Sequence, residues 1–180
     1  MNKMRSTFIC VCSCFFVLGW IGCAPNMVSV SKPSIQTVDK PEYEIQFEPL
    51  KQGGKAFTVF RLTISNLSDT PLQIDWHKSP YLFNGRRRGM FVSKDSEPGN
   101  VHDPEKRFET IAPSKTYSKN IAPLELITYA YSKTTHYVEM SPFSAGPIPS
   151  GQSGIHLTFK LNNREYTERV TVTIKETEQK

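Results

Sequence analysis

Residues 155–174 read Ile-His-Leu-Thr-Phe-Lys-Leu-Asn-Asn-Arg-Glu-Tyr-Thr-Glu-Arg-Val-Thr-Val-Thr-Ile. Ile155, Leu157, Phe159 and Leu161 take every second position, Asn162-Asn163 supplies a turn, and Tyr166, Val170, Val172 and Ile174 return. A period of two sends successive side chains to opposite faces of a strand, so this stretch predicts a hairpin with one apolar face.

The same period runs outward toward the N-terminus. Tyr43, Ile45 and Phe47 alternate with Glu42, Glu44, Gln46 and Glu48, and Phe60, Leu62 and Ile64 alternate with Arg61, Thr63 and Ser65. After the turn at residues 66–71, Leu72, Ile74 and Trp76 alternate with Gln73, Asp75 and His77. Asn84-Gly85 separates Tyr81-Leu82-Phe83 from a return strand over Arg86–Val92, because that dipeptide suits the two positive φ angles of a type I′ turn. Phe108–Ile111, Tyr117–Ile121, Leu124–Tyr131 and His136–Met140 complete the set of expected strands. About eight to ten short strands with turns between them predict an all-β fold, an antiparallel β-sandwich. No stretch has the pattern of an amphipathic helix of normal length.

The first 23 residues are different in kind. Lys3 and Arg5 precede an apolar run from Phe8 to Ile21, followed by Gly22-Cys23-Ala24-Pro25. The run is shorter than the roughly 20 residues of a membrane span and fits the middle of a secretory signal. The Ile21-Gly22-Cys23 step resembles the lipobox of bacterial lipoproteins, although Trp20 stands where an aliphatic residue is usual. The resemblance implies that residues 1–22 are a signal peptide and that Cys23 receives a diacylglycerol and becomes the mature N-terminus. Cleavage after Ala24 by the general signal peptidase is the alternative, and it would leave Pro25 first. Cys10, Cys12, Cys14 and Cys23 are all the cysteines present, so a mature chain has no pair for a disulfide and its fold rests on its core.

With Lys3 and Arg5 removed, 20 of the 22 basic residues remain against 17 acidic ones, and formal charge falls from +5 to +3. That mild excess excludes the basic stripe of a nucleic-acid binder. Residues 23–41, with Pro25, Pro33 and Pro41, read as the lipidated terminus and a flexible tether in which Ser34–Val38 adds an edge strand. Residues 42–180 are then one β-sandwich domain. The stretch from Glu42 to Lys175, with ISNLSDTPLQIDW at 64–76 and Ile-Ala-Pro at 111–113 and 121–123, resembles the immunoglobulin-like domains carried by bacterial envelope lipoproteins. Ala24 follows the cysteine where Asp would signal inner-membrane retention. By resemblance to that sorting rule, the expected location in a Gram-negative cell is the periplasmic face of the outer membrane.

Catalytic chemistry finds little support. No Gly-x-Ser-x-Gly elbow is present, and Ser29-Val30-Ser31-Lys32 matches Ser-x-x-Lys only within the expected tether. His77, His102, His136 and His156 have no metal-ligand spacing, and the acids cannot be paired across a cleft from sequence. The expectation is a chain with no catalytic residue, metal or cofactor.

Two features point to binding. Arg86-Arg87-Arg88 projects three guanidinium forks beside a tight turn, suited to phosphate or carboxylate, or serving as charge that blocks edge-to-edge pairing. Tyr129, Tyr131 and Tyr137 form a possible aromatic patch for sugar or protein, or else pack at a sandwich rim. The functional expectation is a non-enzymatic lipoprotein of the cell envelope. It is held to a membrane by its lipid and acts as an accessory or binding module for an envelope protein or glycan, without nucleic acid. A receptor or inhibitor for a sugar or peptide is the alternative, and a hydrolase with unrecognised acids comes third.

Overall fold

The computed structural model describes residues 26–93, 107–128 and 144–179. From the N-terminus these form β1 (Met27–Lys32), β2 (Gln36–Lys40), β3 (Tyr43–Leu50), β4 (Val59–Asn66) and β5 (Leu72–Asp75). A short hairpin of β6 (Tyr81–Phe83) and β7 (Arg86–Gly89) follows, then β8 (Phe91–Ser93). Next come β9 (Phe108–Ile111), β10 (Thr116–Pro123), β11 (Ile127–Thr128) and β12 (Ser144–Ala145). The long pair β13 (Gly151–Leu161) and β14 (Arg164–Glu178) closes the chain. No α-helix occurs among the described residues. Residues 28–177 make one compact unit. Residues 26–27 and 178–179 belong to a second, in which the Asn26 amide donates to the Gln179 side-chain oxygen at 2.8 Å.

The architecture is the antiparallel β-sandwich that the alternation predicts. One sheet runs β1-β14-β13-β5-β9, with β6 added to β13 and β7 on the far edge of β6. The other runs β2-β3-β4-β10-β8, and β11 with β12 forms a separate ribbon. Ile155 pairs with Val170 and Phe159 with Tyr166, the register set by the Asn162-Asn163 turn, in which both residues have positive φ. That register puts Ile155, Leu157, Phe159, Val170, Val172 and Ile174 on one face, all buried. They meet Tyr43, Ile45 and Phe47 of β3 and Phe60, Leu62 and Ile64 of β4 in one core. Each such side chain taken fully from water contributes about 1.5–3 kcal/mol. Ring geometry adds specificity: Phe47 stacks on Phe60 at 4.4 Å, and Tyr43 meets Phe159 edge-on at 4.8 Å.

Asn66 ties the turn after β4 to β9. Its buried amide nitrogen donates to the carbonyls of Thr70, Ile111 and Ala112, and its oxygen accepts from the Ser68 amide and hydroxyl. A buried amide is tolerated when its bonding capacity is met in this way.

Four expected strands or segments are corrected. Residues 27–32, read as tether, are β1, whereas the edge strand expected at Ser34–Val38 is present as β2 over Gln36–Lys40, paired along β3 at the edge of its sheet. Pro33 and Pro41 fall in the connections between strands, so they punctuate strands and do not signal an unpacked run. The return strand expected over Arg86–Val92 is split. Gly89 has φ +147, a conformation that favours glycine, and after it the chain leaves β7 and enters the opposite sheet as β8 beside β10. The strand expected through His77 stops at Asp75, whose carboxylate accepts from the amides of His77 and Lys78 and starts a 3-10 turn over Trp76–Lys78. Leu124–Leu126 is likewise a 3-10 turn, not the start of a strand. The signal segment, Cys23, His102, His136–Met140, Tyr129, Tyr131 and Tyr137 lie outside the described residues.

Candidate functional site

The outward faces of β13 and β14 carry what their inward faces exclude. In register, His156 lies opposite Arg169, Thr158 opposite Thr167, and Lys160 opposite Glu165. These polar pairs form a floor. Along β13 the neighbouring strand is interrupted, because β5 meets β13 only at Phe159 and Lys160 and β6 only at Ser153–Ile155.

The 3-10 turn fills that gap and is bonded to β13. Thr158 donates its amide to the Ser79 hydroxyl at 3.0 Å and its own hydroxyl to the Lys78 carbonyl at 3.0 Å. The His156 amide donates to the Pro80 carbonyl at 3.1 Å. Beneath the turn, Arg107 donates twice to Asp75, Nε to Oδ1 at 3.2 Å and a terminal nitrogen to Oδ2 at 2.9 Å. Burial works to raise the Asp75 carboxyl, but the Arg107 fork and charge and the Lys78 and His77 amides outweigh it. The carboxyl therefore lies below its ordinary value of 3.8. Asp75 is thus an anchored anion that fixes where His77 and Lys78 project.

A wall comes from the β6–β7 hairpin. Its Asn84-Gly85 turn has φ +48 and +77, the type I′ geometry expected from the sequence. In hydrogen-bonding order β7 and β14 are separated by β6 and β13, yet Arg87 lines the same groove as Glu165 and Thr167. The hairpin thus brings the Arg87 side chain to the outer face, and a bulge between Tyr81 and Leu82 sharpens the local twist. From β14, the Arg169 guanidinium reaches the hairpin turn, where a Cβ on Gly85 would sit 3.5 Å from it.

The result is a groove of about 440 Å³ lined by His77, Lys78, Pro80, Arg87, His156, Thr158, Glu165 and Thr167. Lys78 and Glu165 bridge it at one end with a 2.6 Å ion pair. Neither Arg87 nor Arg169 forms an ion pair with a carboxylate among the described residues. Partial burial, followed by the positive charges of Arg87 and Arg169, pushes the His156 imidazole below its ordinary value of 6.5. The groove thus sets the Arg87 guanidinium beside the His156 imidazole, with Arg169 opposite His156 across the β13–β14 pair, a cationic arrangement suited to anions.

The structure separates the three arginines of the sequence run. Strand alternation sends Arg87 into the groove. Arg86, paired with Phe83, and Arg88, whose charge is felt by Tyr81, belong to the other side of β7. His156, Arg169, Lys78 and Glu165 were not singled out from sequence. They are the ordinary polar alternates of two strands and a turn, and only the placement of the β6–β7 hairpin beside β13 brings them near Arg87. No group of three or more His, Cys, Asp or Glu residues is placed to hold a metal ion among the described residues. No helix among them is long and apolar enough to cross a membrane. No family model, curated protein or solved structure matches the chain.

Proposed function

We propose that this chain is a non-enzymatic lipoprotein of the cell envelope, anchored through Cys23, that serves as an accessory or binding module for another envelope component. The lipobox-like Ile21-Gly22-Cys23 supports the anchor. The observation that carries the binding role is the cationic groove on the outer face of β13 and β14, where Arg87 and Arg169 stand without a carboxylate partner among the described residues. A guanidinium pair left open on a rigid sheet is preorganised for an incoming anion. By the sorting resemblance, the working location in a Gram-negative cell is the periplasmic face of the outer membrane.

The test is crosslinking in intact cells followed by mass spectrometry, with membrane fractionation and palmitate labelling in parallel. Expected results are a recurrent envelope partner, a membrane-bound chain, and loss of both label and membrane retention in Cys23→Ala. Palmitate incorporation that persists in that variant would remove the anchor. A chain crosslinked to no envelope component would remove the module role.

The groove also favours a second reading, a receptor for a soluble anionic ligand. It differs in one observable: a receptor retains a small molecule through purification, whereas an accessory module retains a macromolecular partner.

A further inference from the structure

We propose that the groove between the β6–β7 hairpin and the outer face of β13–β14 is a binding site for a phosphate monoester. Arg87, Arg169 and His156 hold the phosphate, and Lys78 guards its open end. The proposal deepens the binding-module reading and rests on it.

The choice of phosphate follows from counting donors and charge. A carboxylate carries one negative charge, which a single guanidinium fork neutralises, so a second guanidinium beside it would leave positive charge uncompensated. Here Arg87 on β7 lines the groove with His156, Arg169 on β14 lies opposite His156 across the strand pair, and neither arginine has a carboxylate partner among the described residues. A phosphate monoester offers three peripheral oxygens and, near neutral pH, a charge approaching two negative units. Those two charges match the two open guanidinium groups. Glu165 would repel the same anion, but its carboxylate is taken by Lys78 at 2.6 Å.

His156 supplies a reporter. The charged and titratable groups around it are Arg87 on β7, Arg169 and Glu165 on β14, and His77 and Lys78 on the 3-10 turn. Burial and then the two arginine charges disfavour its protonation. An anion seated between the arginines cancels the second cause, so binding raises the imidazole pKa, and by linkage a proton on His156 strengthens phosphate binding.

The experiment uses the full chain in phosphatidylcholine nanodiscs, titrated with inorganic phosphate, glucose 1-phosphate and acetate while the His156 imidazole is followed by NMR. Both phosphates should saturate and shift the His156 pKa upward, and acetate should bind at least about tenfold more weakly. Arg87→Lys and Arg169→Lys keep the charge and lose the fork, and each should weaken phosphate about tenfold with unfolding temperature unchanged. A nanodisc carrying phosphatidic acid distinguishes the source. If the native monoester is a lipid headgroup, that nanodisc suppresses the response to added phosphate, and if it is a soluble compound the response persists.

No saturable shift, acetate binding as tightly as phosphate, or Lys variants equal to wild type would each overturn the proposal. The broader reading is tested apart from it. An envelope partner crosslinked equally by wild type and by the Arg87→Lys/Arg169→Lys double variant leaves the module role standing while the phosphate site falls.

Discussion

The two faces of the β13–β14 hairpin are built from alternate residues of one stretch of chain, and they obey different rules. Inward, Ile155, Leu157, Phe159, Val170, Val172 and Ile174 are buried to 1% exposure or less and interlock with the opposite sheet. Outward, His156, Thr158, Glu165, Thr167 and Arg169 line or border an open groove, and the principal bridge across it, Lys78–Glu165, has both side chains nearly half exposed. The inner face holds its geometry by excluded volume, so any loss of atoms is felt. The outer face holds charges in place by what surrounds them, and those charges contribute little to folding. Core packing and groove charge are therefore separable in this molecule, residue by residue along the same two strands.

The largest expected effect is on the inner side. Phe159→Ala removes a ring packed against Tyr43 and Tyr166 and should cost about 3–5 kcal/mol, read as a lower urea midpoint. A loss near that size from an outward substitution such as Thr167→Ala would break the comparison. Next comes Asn66→Ala, which strips partners from the Thr70, Ile111 and Ala112 carbonyls and should cost about 2–3 kcal/mol, with the chain still folded at neutral pH.

Asp75 joins the two regimes, being buried itself while positioning an exposed turn. Its carboxyl is depressed in the folded state, so its contribution is present above the unfolded value near 3.9 and is lost as pH falls through the lower folded value. Unfolding followed from pH 6 to pH 2 should show this component vanish in Asp75→Asn, whose curve lies closer to flat below about pH 4. An unchanged acid limb would show that other carboxylates set it.

Smaller again is the bridge across the groove. Lys78→Ala should cost no more than about 0.5–1 kcal/mol, with the difference fading in high salt, because the pair is solvent-exposed. The smallest effect on stability is expected from Arg87→Lys and Arg169→Lys, within about 0.5 kcal/mol of wild type in thermal unfolding. These are the same variants expected to weaken phosphate binding. A variant pair that unsettles the fold as much as Asn66→Ala would tie the groove to the core and close the gap between the two faces.

Much of the fold was legible in the sequence because alternation acts locally. A residue two positions from another shares its face whatever the rest of the chain does, so the alternation around Ile45, Leu62, Ile74 and Phe159 predicts a sandwich core without knowledge of strand order. Turn chemistry is equally local, as Asn84-Gly85 and Asn162-Asn163 show. The misreadings occur where a local signal has two outcomes. Pro33 and Pro41 mark strand ends as readily as a loose tether, and only the pairing of β2 along β3 decides between them. The apolar spacing of Met90-Phe91-Val92 continues the hairpin strand on paper, whereas the opposite sheet offers β10 as a partner.

By itself, then, the sequence determined that this is an antiparallel sandwich, which residues face its core, and where the tight turns fall. It also showed an arginine run suited to anions. Only the tertiary structure decided which arginine lines the groove and what stands beside it. Arg87 and Arg169 are 82 positions apart, and they border one groove because β14 and the β6–β7 hairpin flank β13 on its two sides. That placement depends on where β5 stops and where Gly89 releases the chain into the other sheet. The physical reason is that a core is specified by which face a residue takes, a property of its neighbours in sequence. A binding site is specified by which elements approach one another in space, and no local period encodes that.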